Sequence, residues 1–189
     1  MVSYQVVNAG STQLINAHLM TLEPRFHAFR GQSYGIDLVK LGPFGLRAAG
    51  ALPAALDRYA IYGEPVYSPC DGTVVTAFDG APDMTPPQPD RAHMAGNHAL
   101  IDCAGVHVLV AHFRPGTVRV RAGEQIGTTT LVGLVGNSGN SNEPHLHVHA
   151  QRPAADISEP LSGDPLPVRF DARFIARNDR VVAAARSTR

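Results

Sequence analysis

The chain contains no tryptophan, only two cysteines, and no surplus of either charge, with 16 Lys plus Arg set against 16 Asp plus Glu in 189 residues. A balanced charge removes the global field that draws a protein to nucleic acid or to an anionic membrane, so recognition must be local. No apolar run approaches the roughly 18 residues that span a bilayer, and the first residues lack the basic-then-apolar pattern of a secretory signal. The expectation is a soluble chain with no membrane span, no visible signal peptide and no nucleic-acid partner. Its oligomeric state is left open. Cys70 and Cys103 are too few for a disulfide scaffold and too far apart for a zinc knuckle, although strands that met could still let them pair.

Against these absences stand nine histidines, several of them in short, turn-rich contexts, in a composition that is 44% apolar and 17% charged. That is the balance of a folded globular chain, not of a disordered one. The rhythm is strand and turn. Tyr34-Gly35-Ile36-Asp37-Leu38-Val39 is a compact β-type run, and residues 40–63 are punctuated by Gly and Pro, with a short helix expected near Ala54 to Tyr59. From Pro65 onward, Val66-Tyr67-Ser68-Pro69 and Thr73-Val74-Val75-Thr76-Ala77-Phe78 flank an Asp71-Gly72 turn, the usual signal of a hairpin or tight turn. The proline-rich stretch Ala81 to Asp90 reads as a surface loop. A second hairpin joins His98–Cys103 to Val106–His112 through Ala104-Gly105, and further β-type pieces lie around Thr117 to Val120 and Thr130 to Val135. The fold class expected is all-β, mainly antiparallel sheet or sandwich-like, with minor helix and long loops. It divides into an N-terminal arm (1–30), a β domain (31–153) with an insertion at about 40–63, and a C-terminal extension (154–189) that packs on or trails from the domain.

The chemistry concentrates near the end of that domain. Alternate side chains of a strand share a face, so His145 and His147 of Pro144-His145-Leu146-His147 point the same way and His149 continues the row. Imidazoles roughly 7 Å apart along one strand can serve one metal centre, one as ligand and its neighbour as an acid or base. Asn137, Ser138 and Asn140, in the turn before Pro144, are expected to satisfy backbone groups. Asn97-His98 reads as an exposed strand start, and His93 and His107 as surface histidines.

The run Gly139-Asn140-Ser141-Asn142-Glu143-Pro144-His145-Leu146-His147 resembles the glycine-rich turn and His-x-His strand of the lysostaphin-type (LytM-like) zinc metallopeptidases. Other signposts follow in order from about Gly35 to Gln151. Gly35-Ile36-Asp37 resembles the end of the family's His-x-Gly-x-Asp motif, and Pro65-Val66 through Asp71-Gly72-Thr73-Val74 resembles its strand pair. Ala111-His112-Phe113 and Val120 through Gly123-Glu124-Gln125-Ile126-Gly127 resemble two further segments. The resemblance implies Zn2+ as cofactor, Asp37 and His147 as metal ligands, and His112 and His145 as the catalytic pair. Zinc polarises a scissile carbonyl and acidifies water, while a neutral imidazole can take up the proton.

The sequence departs from the family at the first ligand: where a His is usual four residues before Asp37, Ser33 stands. The third ligand is expected from upstream, His27 by its nearness to Asp37, with His18 as the alternative. By resemblance the function is a zinc-dependent endopeptidase acting on peptidoglycan peptides or cross-bridges, in the cell envelope or secreted, gripping substrate in a groove between loops Leu41 to Tyr62 and Ala81 to His98. The alternatives are a catalytically degenerate module that binds cell wall or regulates a partner, and a metal-binding protein without hydrolytic activity.

Overall fold

Alternating polar and apolar residues in the last long strand set one face of a sheet toward a core and the other toward a row of histidines. The computed structural model describes residues 2–156 and 158–183. In chain order its strands are β1 (Val2–Asn8), β2 (Ile36–Lys40), β3 (Pro65–Tyr67), β4 (Gly72–Phe78), β5 (His98–Cys103), β6 (Val106–Ala111) and β7 (Gln125–Ile126). They continue with β8 (Leu131–Leu134), β9 (Leu146–Gln151), β10 (Pro165–Leu166), β11 (Arg169–Phe170), β12 (Arg173–Phe174) and β13 (Arg180–Ala183). The central antiparallel sheet runs β13-β1-β2-β9-β6-β5-β4-β7, with β10 also paired to β9; β3-β8 and β11-β12 form two small sheets. Among the described residues the helical segments are all 3-10, Ala17–Leu22, Pro24–Tyr34, Pro43–Gly45 and Leu56–Arg58. The fold is mainly antiparallel β, as the sequence implies.

The Ala104-Gly105 hairpin forms as expected: both residues have positive φ, 55° and 85°, and Cys103 pairs with Val106 across them. That is the backbone twist that matches two antiparallel strands. Asp71-Gly72 behaves differently. β3 pairs with β8, whereas β4 pairs with β5 and β7, so the Asp-Gly step starts a strand without closing a hairpin. Ser68 turns the chain away, its N–H donating to Thr130 O and its hydroxyl to Cys70 O. The helix expected near 54–59 is a single 3-10 turn, and residues 117–120 carry no strand.

Residues 1–30, expected as an arm, supply β1, which is paired to β2 on one side and β13 on the other. The 154–189 segment supplies β10 and β13; the basic residues Arg186 and Arg189 lie outside the described residues. The main core lies on one face of the sheet, where Val74, Ala99, Ile101, Val110 and Val148 meet Phe113 and Val132. A smaller cluster, Leu100, Leu109 and Ala111, lies on the other face beside the histidine row.

Cys70 and Cys103 are joined as a disulfide with their Cα atoms 5.8 Å apart, tying the segment before β4 to the end of β5. The bond shortens the unfolded chain's freedom across a separation of 33 residues, an effect worth about 2–4 kcal/mol. Non-reduced protein should therefore show no free thiol, and Cys70→Ser/Cys103→Ser should lose about that much stability in urea titration. Unchanged stability would mean that the link constrains nothing the β-ladder does not already constrain.

Candidate active site

The register of β9 builds the site. Asp37 of β2 lies opposite His147 on one edge and Ala111 of β6 lies opposite it on the other. Partners in an antiparallel pair share a face, so Asp37 and His147 project together: His147 Nδ1 lies 2.9 Å from Asp37 Oδ1. His145, just before β9, brings its Nε2 to 3.5 Å from the same oxygen. Its Nδ1 donates to the Glu143 carbonyl at 2.8 Å, which keeps the proton there and turns Nε2 into the site.

His112 follows β6 with φ 67°, a left-handed conformation uncommon for a residue with a Cβ. Its Nδ1 donates to Ser138 O at 2.8 Å, and its ring centroid lies 4.7 Å from that of His145. The carbonyl can only accept, so the neutral ring carries its proton on Nδ1 and leaves Nε2 bare. The polar turn that supplies Ser138 is pinned by buried side chains. Ser138 Oγ donates to Phe113 O and accepts from Asn97 N–H, while the Asn97 amide spans Gly80, Ala81 and Phe113. Asn97, expected at an exposed strand start, is fully buried because this loop closes over it. Asn137 and Ser138 satisfy backbone groups as expected, whereas the Asn140 amide turns to Met94 Sδ.

Of the two upstream histidines, His18 joins the cluster and His27 does not. His27 is 64% exposed at its side chain, with Nδ1 3.7 Å from Glu159, because the 3-10 run Pro24–Tyr34 turns it outward. His18 Nε2 lies 3.5 Å from Asp37 Oδ2, and its ring sits edge-on to His147 with centroids 4.8 Å apart. Three side chains hold it there. Asn8 accepts from Ala17 N–H and directs its amide nitrogen at His18 and at Asp37 Oδ2. Ser33, in the place of the usual histidine, is buried, with Oγ 2.8 Å from Thr21 Oγ1, and Thr21 in turn donates to His18 O. Gly35 makes the approach possible, since a Cβ there would stand 2.7 Å from His147 Cε1 and 3.0 Å from His18 Nδ1.

Burial of charge sets the electrostatics. Burial drives the His112 imidazole well below its ordinary value, and the neighbouring His145 and His147 push the same way. Burial also opposes charge on His145, but the Asp37 carboxylate and the hydrogen bond to it outweigh burial and raise its pKa. His18 is lowered by burial to about 4, against the pull of Asp37. For Asp37, burial alone would favour the neutral acid, yet the charges of His18 and His145 and the hydrogen bond of His145 hold it well below the usual carboxylate range. Two sets of ligand atoms each lie within 4.8 Å of one another: His18, Asp37 and His147, and His112, His145 and His147.

The cluster lies against a cleft of about 580 Å³. One wall is Pro89, Arg91 and Met94 from the proline-rich loop, as expected. The cleft is also lined by Met20, Thr21 and Phe26 of the N-terminal segment, and not by the loop 41–62. Arg47 of that loop pairs at 3.0 Å with Glu143, which lines the cleft.

The description Peptidase family M23 matches residues 54–159. The chain belongs to this family. The M23 match takes in His112, His145 and His147 and stops short of Asp37 and His18. The curated relatives include DD-carboxypeptidase/endopeptidase Mpg from Neisseria meningitidis serogroup B and from Neisseria gonorrhoeae, each 31% identical over 153 residues, covering 75% of this chain. The chain spans only 31% of their length. Among solved structures, lysostaphin from Staphylococcus simulans is 18% identical with a TM-score of 0.42, covering 72% of this chain and 41% of that one. A mutant catalytic domain of the prophage-encoded M23 protein EnpA from Enterococcus faecalis is 19% identical with a TM-score of 0.42, covering 64% and 68%.

Sequence reasoning missed Asn8, whose only signal was its place at the end of a β-type run, and the roles of His149 and Gln151. The opposed shifts of His112 and His145 give an expected order of titration. In metal-free protein followed by NMR, the lowered His112 should lose its proton below the ordinary imidazole value of 6.5, and the raised His145 above it. The reverse order would contradict the placement of Asp37 beside His145.

Proposed function

We propose that this M23 peptidase is a zinc-dependent endopeptidase acting on peptidoglycan peptides or cross-bridges, with His18, Asp37 and His147 holding the metal and His112 and His145 working beside it. The observation that carries the reading is the convergence of His18, Asp37 and His147 donors within 4.8 Å of one another, beside a cleft that His18 and Asp37 line. Two imidazoles and one carboxylate are a donor set suited to zinc, and three protein ligands leave the open position that a catalytic site needs. Zinc held there would supply Lewis acidity toward a peptide carbonyl and acidify the attacking water.

The protein's own groups divide the remaining work. His112, with its proton anchored on Nδ1 by Ser138 O, presents a bare Nε2 that can accept a proton from water. His145, whose charged form Asp37 favours, can donate from Nε2 to the oxygen on which negative charge grows. Asn142 and Glu143 in the cleft offer polar groups to a peptide backbone whose small side chains give a pocket little to grip. The disulfide supports an oxidising compartment and hence the cell envelope or its exterior.

Metal analysis after dialysis separates the two upstream histidines. Wild type should retain about one zinc per chain, as three protein ligands imply, His27→Ala should retain it and His18→Ala should lose it. Zinc kept by His18→Ala and lost by His27→Ala would reverse the ligand assignment. His112→Ala should keep the metal yet cleave peptidoglycan at least about 100-fold more slowly; loss of zinc instead would make His112 a ligand. Gly35→Ala, at a φ of −59° that alanine tolerates, should weaken zinc binding by about tenfold or more by pushing His147 and His18 apart.

A further inference from the structure

β9 carries three polar side chains in a row on its site face, His147, His149 and Gln151, and hydrogen bonds join them end to end. His149 and Gln151 are 1% and 0% exposed, so water does not compete for these groups. The row ends on a group that admits only one polarity. Pro160 O can only accept, so the Gln151 amide nitrogen, 2.7 Å away, donates to it. The Gln151 oxygen therefore faces the other way and accepts from His149 Nε2–H at 3.3 Å. A neutral His149 with its proton on Nε2 has a bare Nδ1, which at 3.0 Å accepts from His147 Nε2–H. His147 is left with a bare Nδ1, 2.9 Å from Asp37 Oδ1. Two acceptors facing one another at that distance repel unless a cation joins them.

We infer that His149 and Gln151 are positioning residues that hold His147 in its Nε2–H form, so that its Nδ1 lone pair is always presented toward Asp37 and His18. The purpose of the arrangement rests on the metal reading proposed above; the polarity of the row does not. The protein builds a dedicated slot for the far end of this row. A Cβ on Gly31 would overlap Gln151 Oε1, and one on Gly163 would come within 2.7 Å of Gln151 Nε2. Gly31 N–H also donates to Leu161 O at 2.9 Å, so the 3-10 segment and the chain after β9 close the slot from two sides. Partners behind a ligating histidine fix its ring and its proton, and their loss weakens metal binding by about 10- to 100-fold.

The test compares polarity with bulk. Long-range 1H–15N NMR of metal-free wild type should place the His147 proton on Nε2. His149→Leu and Gln151→Leu should release that preference and weaken zinc binding by about 10- to 100-fold in a chelator competition. His149→Gln should restore both, because its amide oxygen accepts and its amide nitrogen donates in the same order as the imidazole it replaces. Thermal melting identifies any variant that fails to fold, and the two positions provide independent routes. The inference is overturned by a wild-type proton on Nδ1, by leucine variants that bind zinc as tightly as wild type, or by a His149→Gln variant as weak as His149→Leu. If wild type carries the Nε2 proton but binds no zinc, the row stands as described and the metal reading fails.

Discussion

The pairing of β9 between β2 and β6 fixes which side chains meet. A strand shifted by one residue would turn its whole polar row to the opposite face, placing His147, His149 and Gln151 in the main core and Leu146, Val148 and Ala150 in the cleft. The apolar members of β9 prevent that slip. Val148 is packed in the main core with Val110 and Ala99, and Leu146 against that core and against Val6, Ile36 and Leu38. Packing on one face of the sheet thus specifies chemistry on the other, and Asp37 opposite His147 is a consequence of register before it is a feature of a site.

A carboxylate buried among imidazoles is costly unless its oxygens are partnered. Asp37 is met by Asn8 at Oδ2 and by His145 at Oδ1, with His147 Nδ1 2.9 Å from the same oxygen. Asn8 is tied in turn to backbone at Ala17, His145 to backbone at Glu143 and His147 to the His149 side chain, so the cluster is fixed from behind. Arrangements of this kind place groups to within the tolerance that catalysis requires. They also explain why so much of the polar turn before Pro144 is buried: Asn137, Ser138 and Ser141 face protein groups, not water.

Much of this was legible in the sequence, for reasons that differ by element. The strand period exposes the His145, His147, His149 row, and the spacing around Ala104-Gly105 exposes its hairpin, because both are local properties. The choice between His18 and His27 was not local. Both stand in segments without periodic apolar patterning, and the one that turns inward is decided by Asn8, Thr21 and Ser33, contacts between residues up to 12 positions apart. Nearness in sequence to Asp37 favoured His27, but the 3-10 winding of Pro24–Tyr34 overrides it. The partner of β3 was hidden for a similar reason: Asp71-Gly72 can turn a hairpin, and only the bend at Ser68 sends β3 to β8.

The M23 match covers residues 54–159, while the parts that complete the site in the proposed arrangement come from either side of it. His18, Gly31 and Asp37 precede the match, and Leu161 and Gly163 follow it, all converging on the two edges and one face of β9. In the proposed arrangement a third ligand can come from a distant segment only if the sheet already presents Asp37 and His147 in register and leaves room beside them. Gly35 provides that room at the mouth of the cluster, and Gly31 provides it at the buried end. The N-terminal segment lines the cleft through Met20, Thr21 and Phe26, and the chain after β9 closes around Gln151. Ser33 has a task within these segments, since its hydroxyl meets the turn that carries His18.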